Sequence, residues 1–180
     1  GYTNPEDVKA SADGAHVFVT ERSGNLLRVA LATPNRASAA VVASGMTAPQ
    51  QLFLDETHHA AYVVEYAASG KLWRVDLTTG NKVALLSNLD HAVGVVLSAD
   101  LQSAYISEQT TGPDGGRVSR FDLSSGSRQG LVTGLTAPFF LTWLDPAQSQ
   151  LLVAERDPAN RVTAIDVAHA TSNVVTSGLP

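Results

Sequence analysis

The sequence predicts an all-β fold, a β-propeller made of four four-stranded antiparallel blades, and three observations predict it. An apolar run ends on a glutamate four times, at Glu21, Glu65, Glu108 and Glu155, which stand 44, 43 and 47 residues apart. Such a period of roughly 40 to 45 residues is that of a propeller blade. The twelve residues leading to each glutamate superpose without a gap, as ASADGAHVFVTE, LDETHHAAYVVE, LSADLQSAYISE and LDPAQSQLLVAE. Finally, the units are dense in Val, Thr, Ser and Gly, alternate with period two, and hold no long stretch at helical spacing.

The elements of one unit follow in order. An apolar strand opens it, usually after a proline: QQLFL over 50–54, AVGVVL over 92–97, FFLTWL over 139–144. A polar turn then leads into the strand that ends on the glutamate, and both faces of that strand are apolar in every copy. Two apolar faces fit a sheet sandwiched between neighbouring blades. A Gly or Asn turn gives the third strand, LLRVAL over 26–31, LWRVDL over 72–77, VSRFDL over 118–123 and VTAIDV over 162–167. Thr-Thr-Gly-Asn or Ser-Ser-Gly-Ser marks a hairpin, after which KVALLSNL, RQGLVTGL and SNVVTSGL supply the fourth strand, with ASAAVVASGM from Ala37 as the first copy. The expected blades are 1–46, 47–89, 90–135 and 136–180, within a single domain over 1–180.

Composition narrows the function. With 12 basic against 17 acidic side chains and no basic run, the chain lacks the footprint of a nucleic-acid binder. No apolar stretch approaches the roughly 20 residues that span a bilayer, and GYTNPEDVK has no signal-peptide core, so a soluble protein is expected. The absence of cysteine excludes disulfides, thiolate metal sites and cysteine nucleophiles, and leaves the compartment open. Only 3 of the 12 basic residues are lysine and alanine is abundant, a bacterial bias that keeps the periplasm or secretion in view.

The stretch DGAHVFVTERSGNLLRV resembles the blades of streptogramin-lyase-like and related NHL or YVTN-type propellers, in which an Asp-Gly turn precedes a strand ending in Thr-Glu, then Gly-Asn and an arginine strand. The other copies keep the glutamate and mostly the arginine. The same repeats serve lyases, lactone hydrolases and pure binding modules, so the resemblance implies a blade and not one activity. For a lyase it implies a histidine base with a metal-bound carboxylate, and nominates His91 with Glu108.

The residues themselves point elsewhere. The recurring glutamates are expected to accept hydrogen bonds from backbone N–H groups, although a ring of Glu21, Glu65, Glu108 and Glu155 holding calcium or magnesium is the metal alternative. The residues after them differ: Arg22, Tyr66, Gln109 and Arg156. Variation on a fixed frame is where a ligand is expected. Near the same blade ends lie Asn4, Gln50, Gln51, His91, Phe139 and Phe140, so Arg22, Tyr66, Gln109, Arg156, His91 and Phe140 form the candidate ligand site. The plain structural alternative has the phenylalanines packed between blades and Arg22 and Arg156 paired with the adjacent glutamates. Arg28, Arg74 and Arg120 are expected to be scaffold, their heads finding carboxylates such as Asp76 or Asp122. The Asp55 to His59 stretch falls on a turn that other copies fill without a metal cluster, and the loop Gln109 to Arg117 is three residues longer than its equivalents in the second and fourth copies.

The leading expectation is a non-catalytic binding or scaffold module that holds a protein, peptide or small-molecule ligand and needs no cofactor. The alternative is a metal-assisted lyase or hydrolase of the streptogramin-lyase-like type. Four blades are fewer than such propellers commonly contain, so the chain is expected to be a four-bladed ring, part of a longer propeller, or a self-associating arc closed by a homodimer or by further blades.

Overall fold

The computed structural model describes residues 2–110, 112 and 115–178. Thr111, Pro113 and Asp114 of the long loop and Leu179 and Pro180 of the tail lie outside the described residues. Among the described residues sixteen strands form four separate four-stranded antiparallel sheets, each a meander in chain order, and these are four propeller blades. The packing divides the chain into two compact units, Gly1–Leu89 and Asp90–Pro180.

In the first unit, blade one comprises β1 (Pro5–Ala10), β2 (His16–Glu21), β3 (Asn25–Ala30) and β4 (Ala40–Ala43), and blade two comprises β5 (Pro49–Asp55), β6 (Ala60–Glu65), β7 (Gly70–Asp76) and β8 (Lys82–Leu89). Phe18 and Leu26 of blade one meet Met46 and Leu52, Val63 and Val75 of blade two in one buried cluster, with Trp73 against it. Each fully buried Leu or Val there stabilises the fold by about 1.5 to 3 kcal/mol. On the other face of blade one, Val19, Leu27 and Val29 are buried with Val17 and Ala39 packed against them. Ala39 ends the long β3–β4 connection, which contains a short 3-10 helix, Arg36–Ser38, capped by Asn35.

In the second unit, blade three comprises β9 (Ala92–Leu97), β10 (Ser103–Glu108), β11 (Gly116–Asp122) and β12 (Arg128–Leu135), and blade four comprises β13 (Pro138–Trp143), β14 (Gln150–Glu155), β15 (Arg161–Asp166) and β16 (Thr171–Ser177). Leu97, Ile106, Val118, Leu141, Val153 and Ile165 are buried. The Trp143 indole stands edge-on to Tyr105 at 4.9 Å and donates to the Leu97 carbonyl at 2.9 Å.

Side-chain chemistry explains the turns. At the end of the third strand Asp76 Oδ1 accepts the N–H groups of Thr78 and Thr79, Asp122 Oδ1 those of Ser124 and Ser125, and Asp166 Oδ1 those of Ala168 and His169. Hydrogen bonds from the Ser124 hydroxyl and from Ser125 bring the Asp122 carboxyl down to about 2. This corrects the pairing expected for the third-strand arginines. Asp76 and Asp122 cap turns, while Arg120 Nε donates to Ser103 Oγ at 3.0 Å and Arg74 reaches the His58 carbonyl at 3.5 Å.

Candidate functional site

The glutamate end of every blade is built the same way. The residue before the first strand, or before the proline that opens it, holds a left-handed backbone: Asn4, Ala48, His91 and Ala137 have φ of 48°, 44°, 52° and 42°. Its carbonyl accepts the N–H of the residue after the glutamate, in the pairs Arg22 to Asn4, Tyr66 to Ala48, Gln109 to His91 and Arg156 to Ala137, at 3.0 to 3.3 Å. A bulge follows in each inner strand, because Pro5, Pro49, Ala92 and Pro138 oppose the glutamates while the next register pair slips by one residue.

The glutamates lock this frame. All four are buried, and each accepts a backbone N–H from the loop entering its own blade: Thr3 and Asp90 at 2.9 Å, Thr47 and Thr136 at 2.7 Å. Three also hold arginine. Arg36 reaches Glu21 from the β3–β4 connection through Nε and Nη2 at 3.0 and 3.1 Å. Arg117 pairs with Glu108 through the same two atoms at 2.9 and 3.0 Å, and Arg128 adds a contact at 3.1 Å. Arg161 grips Glu155 at 2.6 and 2.9 Å, with the Thr163 hydroxyl donating at 2.6 Å. Burial opposes ionisation of Glu155, but the bonds from Arg161, Thr163 and Thr136 outweigh it and hold the carboxyl below its ordinary range. Glu21 behaves likewise: burial is overcome by the Thr3 N–H, Arg36 and Asn25. Glu65 has the Thr47 N–H and, among the described residues, no cation within salt-bridge reach; Lys71 of the neighbouring strand lies instead over the Trp73 ring at 4.9 Å.

These arginines were missed in the sequence. Arg117 and Arg161 stand directly opposite their glutamates on the neighbouring strand, a register that the aligned repeats contain. Arg36 offers no such signal, being delivered by a loop. The plain structural reading of Arg22 and Arg156 is corrected here too. Arg22 pairs with Glu6 at 3.2 Å and lies 5.5 Å from the Tyr66 ring centre, and Arg156 lies 4.9 Å over Phe139, so neither pairs with the adjacent glutamate.

The candidate ligand residues therefore fall into two groups, one in each unit. In the first unit Arg22 and Tyr66 come together across the two blades, and Glu6 joins them through Arg22. Gln50 and Gln51 are buried in β5, and the Gln50 carbonyl accepts the Thr20 hydroxyl of blade one. In the second unit Phe139 stacks on Phe140 at 4.5 Å, with Arg156 over Phe139. Gln109 Nε2 donates to the Pro138 carbonyl at 3.1 Å, tying blade three to that cluster. His91 Nδ1 contacts the Asp90 carboxylate at 2.7 Å, and the Asp90 N–H is the one held by Glu108, so Asp90 contacts both.

A hard cation would need oxygen ligands free to turn toward it. Glu21, Glu108 and Glu155 would each first have to release a guanidinium, so the residues present do not fit a calcium or magnesium site at these carboxylates. Among the described residues no group of three or more His, Asp or Glu is placed to hold a metal ion. In the Asp55 to His59 turn, His58 Nδ1 contacts Asp55 at 2.8 Å.

No protein-family model matches the chain, and no curated protein matches it in sequence. Solved structures match it in fold. A chain of the nidogen/laminin complex superposes with a TM-score of 0.77 at 18% identity, over 98% of this chain and 64% of that one. A protein provisionally named TolB from Agrobacterium tumefaciens gives 0.75 at 17%, over 97% and 62%, and hydrazine synthase of Kuenenia stuttgartiensis gives 0.73 at 17%, over 97% and 50%. Likeness at this identity is likeness of fold: these are β-propeller relatives in architecture, and the chain spans between half and two thirds of their lengths. Among the described residues no helix is long and apolar enough to cross a membrane.

Proposed function

We propose that the chain is a non-catalytic binding module that takes a protein or peptide ligand at the glutamate ends of its blades. One observation carries this reading: four backbone frames of the same build present three kinds of side chain, Arg22 and Arg156, Tyr66, and Gln109, each set by the same hydrogen bond. A fold requirement explains the frame but not the variation on it. The second unit adds two half-buried stacked phenylalanines under an arginine, a combination suited to aromatic or acidic groups on a partner. A chain with this fold takes part in the nidogen/laminin complex, which supports a protein-binding use here. The binding reading is preferred to a metal-assisted lyase or hydrolase because Glu108, the carboxylate nominated beside His91, is occupied by Arg117 and Arg128.

The test is selection of displayed random peptides on the immobilised protein, followed by calorimetric affinities for the selected peptides. Arg156→Ala and Phe140→Ala, or Arg22→Ala and Tyr66→Ala, are expected to weaken binding by about tenfold or more, with His169→Ala at the far end of blade four as the neutral control. Peptides that bind equally well to all four variants, or a protein that selects none, would overturn the reading.

A further inference from the structure

At the opposite end of the first unit, away from the glutamates, a cleft of about 410 Å³ opens between the turns of blades one and two. Arg28, His16, Asp13, Glu56, His59 and Phe18 contribute to its walls. That volume lies within the range of small-molecule sites.

The repeat supplies its own control. In the second unit the equivalent arginine, Arg120, is bound to the Ser103 hydroxyl, and the Trp143 indole packs against Tyr105, the register partner of Arg120. By strand register Ser103 corresponds to His16, Tyr105 to Phe18 and Trp143 to Leu54. With no hydroxyl at His16, Arg28 lacks the partner that Arg120 has, and with only a leucine in place of the indole, Phe18 lacks the ring that covers Tyr105. It is exposed and makes no hydrogen bond or ion pair among the described residues.

Two carboxylates share the cleft with it without pairing to it. Asp13 is oriented by the Ser11 hydroxyl at 2.5 Å and the Ala15 N–H at 2.9 Å, and Glu56 Oε2 accepts the Ala12 N–H from the neighbouring blade at 2.5 Å. The Ser11 and Ala15 bonds, in that order, hold the Asp13 carboxyl below its ordinary range. A cation on β3 and two carboxylates held on the β1–β2 and β5–β6 turns thus line one space without forming an ion pair. Phe18 and Leu77 give that space an apolar wall.

We propose that this cleft binds a small zwitterion, an α-amino acid being the simplest, with its carboxylate on Arg28 and its ammonium group toward Glu56 and Asp13. His16 and His59 line the same cleft as further hydrogen-bonding groups, and the apolar wall receives the side chain. The site is separate from the peptide-binding ends and does not depend on that assignment.

Amide chemical shifts of the isotope-labelled full chain test it directly, during titration with each proteinogenic amino acid up to about 20 mM, a range that detects the weak binding of so few contacts. The expected result is saturable shifts at Ala12, His16 and His59 with at least one amino acid, weakened about tenfold or more by Arg28→Gln and by Glu56→Gln, and unchanged by Arg120→Gln. The N-acetyl and carboxamide derivatives of that amino acid should each bind about tenfold less tightly. No saturable shift in this cleft, unchanged binding in Arg28→Gln, or equal binding of the two blocked derivatives would overturn the proposal.

Discussion

The buried glutamate is the residue on which each blade closes, and its environment sets an acid limit on stability. Glu21 and Glu155 have carboxyl groups held below the ordinary value of 4.5 in the folded chain. A depressed carboxyl contributes stability that is present above the unfolded value and lost as pH falls through the folded one. Urea midpoints measured from pH 7 to pH 3 should therefore stay level down to about 4.5 and then fall, and the fall should be shallower in Glu155→Gln, which has no proton to gain at that position. An equal slope in the variant would remove Glu155 from the account. The glutamates were legible in the sequence because repetition exposes a fold requirement. The left-handed residues were not: Ala48 and Ala137 carry no sign of a positive φ, and only the tertiary frame imposes it. Left-handed alanine is strained by about 1 to 2 kcal/mol. Ala137→Gly should consequently raise stability, by up to about 1 kcal/mol after the greater freedom of the unfolded glycine is subtracted, as thermal unfolding would show.

Between elements, hydroxyl staples join the blades within each unit. Thr20 Oγ1 accepts the Asp7 N–H at 3.1 Å and donates to the Gln50 carbonyl of blade two at 2.7 Å, and Ser107 Oγ accepts the Gly94 N–H at 2.8 Å and donates to the Phe139 carbonyl of blade four at 2.6 Å. In blade one the Asp7 carboxylate also reaches the Leu52 N–H at 3.0 Å. In blade three the corresponding residue is glycine, and a Cβ there would stand 2.6 Å from both the Phe139 carbonyl oxygen and Ser107 Oγ. Gly94→Ala should cost about 1 to 3 kcal/mol in chemical unfolding. A neutral result would mean that the junction is looser than described. The strands themselves were legible from period-two patterning and turn glycines, whereas these staples were not, because a single Thr or Ser at the end of an apolar run gives no hint that its hydroxyl crosses to another sheet.

For the whole molecule, fold and function separate cleanly in what the sequence discloses. The four sheets, their strand order and the repeated glutamates were readable from spacing. The cleft at Arg28 was not, since it depends on what two neighbouring blades fail to fill. Association is also expected at this scale. Val8 is 55% exposed, whereas Leu52, Val95 and Leu141, which hold the same register position in the other blades, are at most 2% exposed. Leaving such a face in water costs about 25 cal/mol for each Å². Light scattering should give a mass above the 18.9 kDa of one chain, and a strict monomer that binds no apolar dye would contradict this.

The glutamates hold the blades together, whereas the residues after them are not needed for the fold. Urea unfolding of Glu→Gln variants at positions 21, 65, 108 and 155, beside alanine variants at 22, 66, 109 and 156, tests it most directly. The expected losses are about 2 to 4 kcal/mol for the three arginine-paired glutamates, about 1 kcal/mol for Glu65, and no more than about 1 kcal/mol for Arg22, Tyr66, Gln109 and Arg156. The reverse order, with the glutamate variants near neutral and the alanine variants strongly destabilised, would contradict it.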